Sequence, residues 1–251
     1  MSPVLFASIG NTNVRWAAWQ AGGPLGSPGV AGVASAATAL TAAAREAGAA
    51  LVVAVVSAEA LGDAVEEALA AEGLRLLRAG RDVPLPIETR YRDPGEIGAD
   101  RLCNALAARE SHGAPVVSGS AGTCLTVEAV DERGVLLGGA IGAGVPAAVA
   151  GIGARVPHLA EDALEAARAP DLVSQLGRST AENLALGLWL GAAATMDALI
   201  GRARRVLGGD VPAVITGGDA PALARWMRTE VEVSPDLTLD GARLAFERHQ
   251  T

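Results

Sequence analysis

One short pattern occurs twice in this chain, about 110 residues apart: Ser8-Ile9-Gly10-Asn11-Thr12 and Ser120-Ala121-Gly122-Thr123-Cys124. Each copy follows an apolar run, Val4-Leu5-Phe6-Ala7 or Pro115-Val116-Val117. Each also leads into a second strand-like segment, residues 14–19 or 125–130. This predicts two related hairpins whose glycine-bearing turns could face one another. Glycine lets a backbone approach a phosphate closely, and Thr and Asn add hydroxyl and amide donors, so two such turns could clamp a nucleotide polyphosphate from both sides. Either turn alone also fits an ordinary hairpin.

The rest of the composition removes competing classes. A chain of 251 residues, half of them apolar, can bury a large core as one large domain or two small ones. No uninterrupted apolar stretch has the length and flanks of a membrane span, and the N-terminus lacks a basic region followed by a signal-like core, so a cytoplasmic protein without a membrane partner is expected. A net charge of -8 argues against a nucleic-acid binder, which needs clustered positive charge. There is no lysine, which excludes a P-loop lysine, a Schiff-base lysine and a protein-kinase strand lysine. Two cysteines, Cys103 and Cys124, are too few for a cysteine-rich zinc site, and Cys103 reads as core. His112, His158 and His249 have no metal-ligand spacing and read as structural or surface residues.

Along the chain, helix is predicted over 40–49 and 58–71, with strands at 51–57 and 75–79. Residues 81–98, punctuated by Pro84, Pro86 and Pro94, read as an irregular connection before a helix over 99–109. The second repeat continues to Gly138-Gly139-Ala140-Ile141. Helices follow over 145–155 and 179–200, then a strand at 213–215, a glycine turn, a helix over 221–228 and a closing amphipathic helix over 240–248. Strand, glycine turn, helix is a common nucleotide-site arrangement. No linker is long enough to separate independent domains, so two α/β lobes sharing a cleft are expected, residues 1–113 and 114–251.

Several ordered blocks carry a family resemblance. They are Gly10-Asn11-Thr12 with Arg15-Trp16, Tyr91-Arg92-Asp93-Pro94 leading to Gly98-Ala99-Asp100-Arg101, Gly122-Thr123, and Gly138-Gly139-Ala140-Ile141 with Gly144. Thr216-Gly217-Gly218-Asp219-Ala220 and Pro235-Asp236-Leu237 complete them. In order and spacing the chain resembles the type III pantothenate kinases, of the superfamily that holds acetate kinase, sugar kinases and actin. The resemblance implies two ribonuclease-H-like, actin-like ATPase lobes with a nucleotide cleft between them. It also implies transfer of the γ-phosphoryl group of ATP to the primary hydroxyl of pantothenate, the first step towards coenzyme A, with Mg2+ and a monovalent cation, K+ or NH4+.

Such a transfer needs its partners held in line, donors or positive charge on the phosphate oxygens, and a group to accept the hydroxyl proton. By resemblance Asp100 is that base, with a helix-capping role as the other reading of its position. Arg101 matches a substrate-binding position and could pair with the pantothenate carboxylate, or be a surface arginine. Tyr91, the chain's one tyrosine, and Gly98 belong to the same acceptor block. Ser8, Gly10, Asn11, Thr12, Arg15, Gly122 and Thr123 fall at the phosphate turns, and Gly217 and Gly218 against the adenosine. Thr180 matches a threonine that reaches the site from a partner subunit, which implies a homodimer; it also opens a helix capped by Ser179 with Glu182 completing a capping box.

Two departures stand out. Where the family carries aspartate before each phosphate turn, this chain has Ser8 and Ser120, and Glu128 is the one carboxylate left near the second turn as a metal ligand. Cys124 and Leu125 replace Ala and Thr, and Asp93 replaces Asn. Beside a working kinase, the serines leave open a relative that binds ligand without transferring phosphate, or an enzyme with another acceptor.

Overall fold

The computed structural model describes residues 2–168, 170–171 and 175–250. The chain divides into two units, residues 1–111 with 236–251, and residues 112–235.

The first unit is built on a mixed five-stranded sheet. Strands β1 (Val4–Ile9), β2 (Asn13–Trp19) and β3 (Gly29–Gly32) form an antiparallel meander, and β4 (Leu51–Val56) and β5 (Arg75–Arg78) add in parallel on the far side of β1, giving the order β3-β2-β1-β4-β5. The β1 and β4 sequences are almost wholly apolar, as expected for strands covered on both faces. On one face Leu5, Ala7, Val52 and Ala54 pack on Leu40 and Ala44 of α1 (Ala36–Ala47) and on Val65 and Leu69 of α2 (Glu59–Ala71). On the other, Val4, Phe6, Val53 and Val55 pack on Cys103 and Leu106 of α3 (Ala99–His112) and on Leu239, Ala242 and Phe246 of the closing helix, Leu237–Gln250. Phe246 meets Phe6 edge to face with ring centroids 5.8 Å apart, an arrangement aromatic rings favour.

The second unit repeats the plan. Strands β6 (Val116–Ala121), β7 (Cys124–Val130) and β8 (Leu136–Ala143) form the meander, and β9 (Ala213–Thr216) and β10 (Glu232–Val233) add in parallel beyond β6. One sheet face, with Val117, Ala121, Leu125 and Val127, packs on α4 (Val145–Arg155), α5 (Ala160–Ala167) and α6 (Thr180–Leu207). Helix α7 (Ala220–Ala224) follows β9, and the closing helix Leu237–Gln250 is α8.

Three expectations change. The sequence assigns residues 236–251 to the second lobe, but the apolar stripe of α8 is buried on β1 and β4 of the first unit. Helix α7 ends at Ala224 instead of Arg228, because the Asp197 carboxylate accepts the backbone N–H groups of Arg228 and Thr229, both at 3.0 Å, and turns the chain there. Helix α6 is long and apolar enough to cross a membrane by length and composition, although no such stretch is expected from the sequence. Its Leu188, Trp189, Ala193, Met196 and Ile200 are core residues of the second unit.

Candidate functional site

The two glycine turns are hairpins with different supports. In the first, the Gly10 N–H donates to the Asn13 carbonyl at 3.0 Å, and Asn11 and Thr12 stand exposed at the tip. Ser8 on β1 lies directly opposite Arg15 on β2, and the Arg15 guanidinium reaches Asp236, 221 positions away, with Nε 2.8 Å and Nη2 2.7 Å from the same Oδ1. Sequence reasoning gave Asp236 no role; its only signal was a place in the Pro235-Asp236-Leu237 block.

In the second turn the backbone is held from both sides. The Gly144 N–H donates to the Thr123 carbonyl at 3.1 Å, and a Cβ on Gly144 would fall 2.0 Å from the Gly122 carbonyl oxygen. From the β9–α7 turn the Asp219 N–H donates to the Ala121 carbonyl at 3.1 Å, and Gly217, at φ +104°, lies so near that a Cβ would come within 2.1 Å of the same oxygen. Only glycine satisfies both the positive φ and the approach. The structure thus brings the Gly122-Thr123 and Gly217-Gly218 turns together within one unit, with Gly218 exposed beside them. Burial raises the Asp219 carboxyl above its ordinary value.

The block from Tyr91 to Arg101 also comes together. The 3-10 turn Pro94–Glu96 is capped by Asp93, whose Oδ1 accepts the Gly95 N–H at 2.9 Å, and the chain then enters α3. Asp100 sits half-buried in the first turn of α3, with Oδ1 accepting the Arg101 N–H at 2.9 Å and lying 2.5 Å from where a Cβ on Gly98 would be. Arg101 is not a surface residue: it is 7% exposed, its Nη2 donates to the Tyr91 hydroxyl at 2.6 Å, and its Cζ stands 5.6 Å from the centre of that ring. One helix turn on from Asp100, Cys103 is core as expected; burial, with the Asp100 charge nearby, pushes its thiol well above the ordinary range.

Glu128 does not fit its expected role as a metal ligand. It is fully buried on the sheet face opposite the α4–α6 core, opposite Ser118 on β6, and Thr126 Oγ1 donates to its Oε2 at 3.4 Å. A hydrated magnesium ion keeps several waters, and a wholly enclosed carboxylate leaves them no room. Among the described residues no group of three or more His, Cys, Asp or Glu side chains could hold a metal.

Thr180 is exposed at the first position of α6. Ser179 caps the helix by accepting the Glu182 N–H at 3.2 Å, while the Glu182 carboxylate takes the Arg178 N–H at 2.6 Å rather than that of Ser179, a shifted form of the expected capping box. Thr180 belongs to the second unit and Tyr91, Gly98, Asp100 and Arg101 to the first. A cavity of ≈ 400 Å³ lined by Gly144, Ala148, Asn183, Gly187, Gly191 and Thr195 opens between α4 and α6.

Comparison with known proteins gives the family and the fold. The sequence model of the type III pantothenate kinase family matches residues 4–202. A type III pantothenate kinase of Thermomicrobium roseum is 39% identical over 173 residues, 69% of this chain and 64% of that protein, so the chain spans under two thirds of that relative's length. One from Frankia alni is 34% identical over 183 residues, 69% of this chain and 71% of its own. Among solved structures, component A of the (R)-2-hydroxyglutaryl-CoA dehydratase of Acidaminococcus fermentans superposes with a TM-score of 0.61 at 14% identity, covering 100% of both chains. A ROK family glucokinase of Streptomyces griseus gives a TM-score of 0.55 at 14% identity, covering 98% of this chain and 99% of its own. The duplicated sheets thus have the actin-like fold of sugar kinases, and the chain belongs to the type III pantothenate kinase family.

Proposed function

We propose that the protein transfers the γ-phosphoryl group of ATP to the primary hydroxyl of pantothenate, giving 4′-phosphopantothenate and ADP. The observation that carries this reading is the cluster at the start of α3, where a half-buried carboxylate, Asp100, adjoins a buried guanidinium, Arg101, already paired with Tyr91. A fixed cation of this kind suits a substrate carboxylate, which it can hold with charge-assisted hydrogen bonds. Asp100 accepts the proton as the pantothenate hydroxyl oxygen attacks the γ phosphorus. The bond from that phosphorus to its bridging oxygen breaks, and ADP leaves.

On the nucleotide side, the Gly10-Asn11-Thr12 turn and the braced Gly122-Thr123 turn offer backbone and side-chain donors to the phosphates, with Arg15 beside the first and Gly217-Gly218 against the adenosine. At the turns the residues do not fit a carboxylate-held magnesium, since positions 8 and 120 carry neutral hydroxyls and Glu128 is enclosed. ATP oxygens, water and the two half-buried serine hydroxyls are the donors available, and Mg2+ needs few protein ligands. A monovalent cation, K+ or NH4+, completes the proposed requirements on family resemblance.

We further propose a cytoplasmic homodimer in which Thr180 reaches the partner's acceptor site. Support comes from α6, which leaves Gly187, Leu190, Gly191, Ala194 and Thr195 exposed along one side, a stripe of small and apolar residues suited to close packing on a second copy.

The test is a coupled ADP-release assay with ATP, magnesium and K+ or NH4+, with and without pantothenate, and mass spectrometry of the product. Asp100→Asn should abolish turnover while leaving ATP binding intact. Wild-type turnover in that variant would remove Asp100 as the base, and a wild type that forms no 4′-phosphopantothenate would overturn the kinase reading.

A further inference from the structure

We infer that Asp236 is a positioning residue for ATP, holding the Arg15 guanidinium in place at the first phosphate turn. The inference rests on the kinase reading only in taking that turn as a nucleotide site.

Three observations support it. First, the contact is directional: Nε and Nη2 of Arg15 both meet Asp236 Oδ1, at 2.8 and 2.7 Å, which fixes the plane of the guanidinium and leaves the donors of Nη1 for another ligand. Second, the surroundings supply no other charge to do this. Arg15 faces neutral Ser8 across the β1–β2 ladder, and Asp236 is its one acidic partner among the described residues. Third, Asp236 is delivered by a firmly anchored element. It immediately precedes α8, whose Leu239, Ala242 and Phe246 are buried on the sheet, and the Thr238 hydroxyl donates to the buried Asn104 at 2.7 Å.

A structural strut is the competing explanation, and the exposure of the pair separates the two. The side chains are 30% and 32% exposed, and an ion pair so open to water contributes little to folding. Its larger effect falls on ligand binding, because an arginine already held in place loses less rotamer freedom when it grips a phosphate. The sign of the effect is also diagnostic. Asp236 is an anion, and acting through charge alone it would repel ATP, so its removal would tighten binding. As a positioning residue, its removal weakens binding.

The experiment is calorimetric titration of the 251-residue chain with ATP, alongside thermal unfolding, for wild type, Asp236→Asn, Asp236→Glu, Arg15→Gln and the double variant Arg15→Gln with Asp236→Asn. Asp236→Asn should raise Kd for ATP on the order of tenfold, the scale of one charge-assisted hydrogen bond, with Tm little changed. Asp236→Glu should recover part of the loss, and Asp236→Asn should add less than about twofold in the Arg15→Gln background. Unchanged or tighter ATP binding, losses that multiply in the double variant, or a loss that merely follows Tm would overturn the inference. A wild type that binds ATP but makes no 4′-phosphopantothenate would sink the kinase reading and leave this comparison decisive; one that binds no ATP would overturn both.

Discussion

Adding one methyl group at Gly217 tests whether the β9–α7 turn is a working part of the nucleotide site. A Cβ there would lie 2.1 Å from the Ala121 carbonyl oxygen, whereas real Cβ contacts stay above 3.0 Å, so the turn must retreat by at least 0.9 Å. The backbone must also hold φ +104° with a side chain, a strain of about 1–3 kcal/mol. Retreat stretches the 3.1 Å bond from the Asp219 N–H to the Ala121 carbonyl, about 1 kcal/mol more. Gly217→Ala should therefore destabilise the fold by about 2–4 kcal/mol in urea unfolding, and the ångström-scale shift should cut kcat/KM for ATP on the order of 100-fold. Gly218→Ala is the control one residue away. Nothing lies within 4 Å of its Cβ and its φ is not in the positive range, so stability should change by less than about 0.5 kcal/mol. If adenosine lies against it, KM for ATP should still rise about tenfold. Full stability in Gly217→Ala, or unchanged ATP kinetics in both variants, would refute the reasoning.

Acid stability offers a second test. Asp131 accepts the backbone N–H groups of Val135 at 2.9 Å and Arg133 at 3.0 Å, and these bonds, that from Val135 foremost, hold its carboxyl below the ordinary range. A depressed folded-state value gives stability that is present above the ordinary carboxylate pKa of about 4 and is lost as pH falls through the lower folded value. Asp131→Asn should cost about 1 kcal/mol at pH 7 and flatten the acid limb of the stability profile below about pH 4; an unaltered limb would count against the assignment. For the dimer, Leu190→Arg on the exposed stripe of α6 should yield monomers in sedimentation velocity and lose pantothenate phosphorylation. A monomeric wild type, or an active monomeric variant, would exclude the proposed reach of Thr180.

Much of the architecture was legible in the residues because it rests on local pattern. The twin apolar run, glycine turn and second strand marked the β1–β2 and β6–β7 hairpins, and the helical spacing over 145–155 matches α4. The strand expected over 75–79 matches β5, whereas β3 and β10, at four and two residues, are too short to carry a periodic signal and are not legible in the sequence. The stop of α7 was illegible because its cause, Asp197, lies on another helix. Within the candidate site, Asp100 and its helix start were readable from Gly98-Ala99-Asp100-Arg101, but the burial of Arg101 against Tyr91 was not, since an arginine in a helix reads as a surface residue.

What the sequence determined by itself is the duplication, the exclusion of lysine-dependent phosphate sites and the family, because these depend on residue identity and order along the chain. What only the tertiary structure decided are the contacts between distant positions. They put α8 on the first sheet and Asp236 on Arg15, brace the Gly122-Thr123 turn between Gly144 and Gly217, and enclose Glu128. The reason is physical: burial and close approach are properties of surfaces that meet only once the sheets and helices have packed, and no local window of sequence contains both partners.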